Sequence, residues 1–170
     1  MKKHKNEPKQ SIYFDTNVII GYFKKGDERK HSKGVIENAA TMIKNPDIMV
    51  KIPIISLGEC AIWLLDHNPN GGLVADLRTL VKAKLKANTP PPDKRSYRVA
   101  FELMGADGHI EPTDALIVAQ ALADRTSEWL ITTDSVLLDN KTVFDKIDDV
   151  GSKLKISDRF TKRGARKNVR

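Results

Sequence analysis

The chain is predicted to fold as α/β, a three-layer α/β/α sandwich with helices on both faces of a central, mostly parallel sheet. Three observations lead there. Short β-branched and aromatic runs such as Ser11-Ile12-Tyr13-Phe14 and Trp129-Leu130-Ile131 recur between segments with helical periodicity, and strands alternating with helices in this way pair in parallel. Each run hands over abruptly to polar residues that can open a helix. At 170 residues and 40% hydrophobic content the chain is large enough to bury one core, and no internal repeat divides it.

In chain order, a strand is expected near 11–15, where the apolar run stops at Asp15-Thr16-Asn17, followed by a helix near 17–24 with Thr16 or Asn17 as its cap. A helix near 31–45 and a strand near 48–53 come next. The stretch Ile52-Pro53-Ile54-Ile55 then passes into a helix near 56–67, with Glu59 in its first turn, and Ser56-Leu57-Gly58-Glu59 matches a capping box. A helix near 73–88 carries Leu77, Val81 and Leu85 on one stripe and Arg78, Lys82 and Lys86 on the next. Beyond Pro90-Pro91-Pro92 a helix is expected near 94–105, then a loop through Gly105-Ala106-Asp107-Gly108 and an alanine-rich helix near 113–125 opened by Asp114. A strand near 128–133 closes at Asp134, a helix follows near 142–150, and Leu154-Lys155-Ile156 forms a last short strand.

Composition excludes several classes. No apolar run approaches the roughly 18 residues that span a bilayer, and residues 1–10 lack the apolar centre of a signal peptide, so a cytoplasmic protein with no membrane partner is expected. Cys60 is the only cysteine, which rules out an internal disulfide, and its apolar helical setting reads as a packed core thiol. The histidines at 4, 31, 67 and 109 lack ligand spacing, which disfavours zinc. The net charge of +7 is concentrated at the ends: residues 1–10 hold four lysines and one glutamate, and residues 159–170 hold six basic residues and no acid. Residues 11–158 carry 19 basic against 21 acidic side chains. Three segments follow: a basic arm over 1–10, a globular domain over 11–158 and a basic tail over 159–170. The ends suit contact with a phosphate backbone or serve as solubilising termini, and the stripe of Arg78, Lys82 and Lys86 is a second place for RNA contact.

Asp15, Glu59, Asp114 and Asp134 carry the chemistry. Each has an ordinary explanation taken alone, because acids are favoured at helix starts by the macrodipole and in turns by local hydrogen bonding. In a parallel sheet, however, strand carboxyl ends and helix amino ends lie along one edge, so residues distant in sequence converge there. Crowded carboxylates must take up protons or bind a cation. Ligands that are all oxygen favour Mg²⁺ or Mn²⁺ over zinc.

The strand ending in Asp15-Thr16-Asn17, the later helix-start Glu59, Thr113-Asp114-Ala115-Leu116-Ile117-Val118-Ala119 and Leu130-Ile131-Thr132-Thr133-Asp134 resemble, in order and rough spacing, the PIN-domain nuclease family over residues 11–150. The resemblance implies a PIN-like fold with Asp15, Glu59, Asp114 and Asp134 at the family's metal-binding and catalytic positions. Thr16, Asn17 and Thr132 would be accessory residues, and Asp139 is a rival to Asp134 as the last acid. It further implies an Mg²⁺- or Mn²⁺-dependent ribonuclease that hydrolyses RNA phosphodiester bonds, with Glu59 holding a ligand, orienting the water or accepting its proton. Among family members the chain resembles the toxins of toxin–antitoxin pairs, which implies a small antitoxin partner and a homodimer. An RNA-processing or decay endonuclease and a catalytically silent RNA-binding module are the alternatives. The segment from Asn68 to Lys94 is longer than in compact members and is expected to carry extra helices or an interface. An aspartyl-phosphate phosphatase led by Asp15 is disfavoured, since that chemistry wants an aspartate where Asn17 stands.

Overall fold

Residues 9–160 are described by a computed structural model. They form one four-stranded, all-parallel sheet, with β1 (Gln10–Phe14), β2 (Ile48–Lys51), β3 (Ser127–Ile131) and β4 (Lys155–Ser157) in the order β2-β1-β3-β4. The chain leaves β1 toward β2 on one side and later returns to place β3 on the other. That reversal makes the carboxyl ends of β1 and β3 the point where a crevice opens.

Both faces of the sheet are covered, as the unbroken apolar character of its central strands requires. Ile12, Phe14, Trp129 and Ile131 point into one core, and Tyr13 and Leu130 into the other. The first core is closed by α1 (Thr16–Phe23), α2 (Gly26–Met42), α3 (Ile54–His67) and α4 (Gly72–Thr79). The second is closed by α5 (Lys94–Ala106), α6 (Pro112–Ala123), α7 (Ser135–Leu138) and α8 (Lys141–Asp149). This is the expected three-layer sandwich, and its sheet is wholly parallel. α1 and α2 approach so closely that a Cβ on Gly21 would stand 2.3 Å from Ser32 Oγ.

Several boundaries differ from the sequence reading, each for a local reason. β1 takes in Gln10, the last residue of the expected basic arm. The cap of α1 is Asp15, whose side chain accepts from the Thr16 amide; Thr16 is already the first helical residue. α2 opens five residues early at Gly26, with Asp27 and Glu28 placed favourably in its first turn. α3 opens at Ile54 after Pro53, and the Ile54 amide donates to the distant carbonyl of Pro90. Glu59 therefore lies beyond the first turn, and no capping box forms: Ser56 Oγ is buried with no hydrogen-bond partner among the described residues. The expected helix over 73–88 stops as an α-helix at Thr79 and continues as a π-helical turn over Leu80–Lys84. Lys86 then takes a positive φ of 46°, which removes it from the helical stripe of Arg78 and Lys82. The chain turns there so that Asn88 can pair with the β2 edge through the Val50 carbonyl and the Ile52 amide. The short helix α7 was not expected at all.

No helix among the described residues is long and apolar enough to cross a membrane. Apart from residues 9–10 and 159–160, the basic arm and tail lie outside the described residues.

Candidate active site

The carboxyl ends of β1 and β3 meet through a backbone bond from the Asp15 amide to the Ile131 carbonyl, 3.0 Å long. Asp15 is fully buried, and both of its carboxylate oxygens are held: Oδ1 accepts from the Thr16 amide at 2.6 Å and Oδ2 from Thr132 Oγ1 at 2.7 Å. Thr132 Oγ1 in turn accepts from the Asp134 amide at 2.9 Å, which ties the fourth acid to the first. Thr16 Oγ1 donates to Glu59 Oε2 at 2.5 Å. Two threonines thus tie Asp15, Glu59 and Asp134 into one network. Both are buried because each ends a core strand or begins a core helix.

Above this network lies a cleft of about 480 Å³ walled by α1, α3, the start of α6 and the segment from Asp134 to Val136. Glu59, Asp114 and Asp134 line it together with Thr16 and Asn17. Asp114 stands in the first turn of α6, which Pro112 opens. Asp139 is exposed at the end of α7 and does not line the cleft, so the structure brings Asp134 and not its rival to the other acids. Asp15 and Thr132 lie beneath the cleft and do not line it; Thr132 is tied to it through Asp134.

The electrostatics reflect this crowding. Burial, opposed by the bonds from Thr132 and Thr16 and reinforced by the charges of Asp134 and Glu59, pushes the Asp15 carboxyl up to about 6. Burial first, then the charges of Asp15, Asp134, Glu111 and Glu59, pushes Asp114 up to about 7. Burial and the nearby Asp15 and Glu59 charges also raise the Cys60 thiol to about 12; it is a core thiol that donates to the Thr16 carbonyl, as its helical setting predicted.

Two carboxylates escaped the sequence reading. Glu111 immediately precedes α6, and Asp66 lies seven residues after Glu59 on α3; both line the cleft. The sevenfold spacing, which returns to one helix face, was the available signal for Asp66. Among the described residues, no three His, Cys, Asp or Glu side chains are close enough to enclose an ion by themselves. The acids therefore form an open array that faces the cleft. Such an array fits a hard divalent ion that keeps several waters and takes few protein ligands. The donors are oxygens only, and the elevated Asp15 and Asp114 carboxyls mark a place where added positive charge is favourable.

A family model described as PIN domain matches residues 12–142. No curated protein matches the chain.

Proposed function

Because the chain belongs to the PIN-domain family, whose members are generally nucleases, we propose that it is an Mg²⁺- or Mn²⁺-dependent ribonuclease that hydrolyses RNA phosphodiester bonds. The observation that supports this most is the buried Asp15 at the crevice between β1 and β3, tied by Thr16 and Thr132 to Glu59 and Asp134 under a solvent-open acidic cleft. Asp15, Asp114 and Asp134 would hold the cation. When bound, the ion supplies Lewis-acid stabilisation of charge developing on the phosphate and lowers the pKa of an attached water. The chain's own part is positional: the two threonines fix the directions of Asp15 and Glu59 before substrate arrives, so little reorganisation remains for the reaction. Glu59, held by one oxygen, keeps the other to accept a proton from the attacking water.

The test is cleavage of single-stranded RNA by purified protein with Mg²⁺ or Mn²⁺. Asp15→Asn and Asp114→Asn are expected to lose about 10²–10⁴-fold in rate, and chelation of the metal should stop the wild type. Equal cleavage by all three proteins would remove the proposed site. The narrower reading, the toxin of a toxin–antitoxin pair with a small antitoxin partner and a homodimeric state, predicts growth arrest on expression that Asp15→Asn abolishes.

A further inference from the structure

One wall of the cleft has a character that the acid array does not use. Glu59, Ile62, Trp63 and Asp66 of α3 all line it, at spacings of three, four and seven residues from Glu59, so one face of this helix presents acids and an aromatic ring side by side. Trp63 follows Glu59 by four positions, which sets it just over one helical turn, about 6 Å, along the same face. Its indole is stacked on His67 with ring centroids 4.0 Å apart and planes 20° from parallel. His67 is itself held by a 2.8 Å bond from its Nδ1 to the Trp63 carbonyl. Trp63 lines the cleft and His67 does not, and the half-buried Trp63 also packs against the first core, so the indole is held between the imidazole and the core with an edge of the cleft beside it. Ile62, 64% exposed, and Val136, 46% exposed, sit on the rim as apolar neighbours of the carboxylates.

We propose that Trp63 is the stacking platform for a nucleobase of single-stranded RNA, next to the phosphate that the acid array engages. The inference rests on the ribonuclease reading, from which the position of the phosphate follows. A flat aromatic surface held in place by a second ring loses little conformational freedom when a base stacks on it. Stacking is tolerant of sequence but requires an unpaired base, because the faces of a duplex base are already covered by its neighbours. Among the described residues that line this wall, Trp63 offers a nucleotide a flat aromatic surface and none is a lysine or arginine. Trp63 is therefore a positioning residue with its effect on substrate binding and strand choice.

Trp63 also supplies its own reporter. The chain has two tryptophans, and the other, Trp129, is 5% exposed in the core. A short single-stranded RNA added with Mg²⁺ to the Asp114→Asn protein should quench the fluorescence of Trp63, and a duplex of the same length should not. In the cleaving protein, Trp63→Ala should raise KM by about 5- to 150-fold with kcat largely kept, and Trp63→Phe should restore most of the loss. Because Trp63 also packs against the core, melting curves accompany both variants; if the alanine protein is unfolded, Trp63→Phe and His67→Ala carry the comparison, each with a smaller KM rise. Unchanged KM in folded variants, or quenching absent or equal for single strand and duplex, would overturn the platform and leave that wall to a protein partner. If the wild type fails to cut RNA while single-strand quenching and its loss in Trp63→Phe persist, the ribonuclease reading falls and the platform stands.

Discussion

A carboxylate with no exposed surface, as Asp15 is, sets the balance between stability and chemistry at this site. Its carboxyl titrates in the native protein near 6, above the ordinary value of 3.8 that it recovers on unfolding. Between about pH 4 and pH 6 the native state therefore binds more protons than the unfolded one, so stability falls as pH rises through that window, by an amount on the order of a few kcal/mol. Asp114 extends the same trend to about 7. Cation-free protein should accordingly melt at a higher temperature near pH 5 than near pH 8, and Asp15→Asn should flatten that slope and raise the melting temperature at the higher pH. Mg²⁺ or Mn²⁺ added at the higher pH should restore stability to the wild type and much less to Asp15→Asn, as thermal denaturation would record. Asp15 and Asp134 were legible in the sequence because strand ends are legible, and Asp114 because Pro112 and Thr113 mark the start of α6. Glu59 was found through a helix start that the structure places elsewhere, and Glu111 and Asp66 were passed over because only the assembled cleft gives their positions meaning.

At the scale of elements, α1, which walls one side of the cleft, packs closely against α2. Gly21 lets the two helices touch, and Gly21→Ala would drive a methyl group to 2.3 Å from Ser32 Oγ and 3.2 Å from its Cβ. A loss of about 1–3 kcal/mol is expected in chemical denaturation. The double variant Gly21→Ala with Ser32→Ala should recover part of it, since the nearer clash is with the hydroxyl. Long, regular elements such as α5 and α6 were readable to within a residue or two from periodicity. The end of α4 was not, and even the two-residue shift at the start of α3 has the same cause: tertiary partners decide both. The Pro90 carbonyl receives the first amide of α3, and the β2 edge draws Asn88 out of the helical path through the π-helical turn. A window confined to neighbours along the chain contains neither partner.

On the whole-molecule scale, positive charge and chemistry are separated along the sequence: the four predicted acids lie between residues 15 and 134, while the excess of lysine and arginine lies in residues 1–10 and 159–170. Removing residues 161–170 takes away Lys162, Arg163, Arg166, Lys167 and Arg170. RNA affinity should then depend less steeply on salt, by about 0.7 in logarithmic slope for each phosphate that the tail no longer neutralises, with kcat kept, as binding titrations at several salt concentrations would show. The parallel sheet has a different consequence, one of timing. The Thr132 hydroxyl that holds Asp15 comes 117 residues later, and the Thr132 amide is itself fixed by the Ser157 carbonyl of β4. Pairings this distant form late and slowly during folding. A chain still emerging from the ribosome carries its first acid long before the hydroxyl that orients it, so the assembled cluster is withheld until the segment through Ser157 has emerged, and fragments released before that lack it.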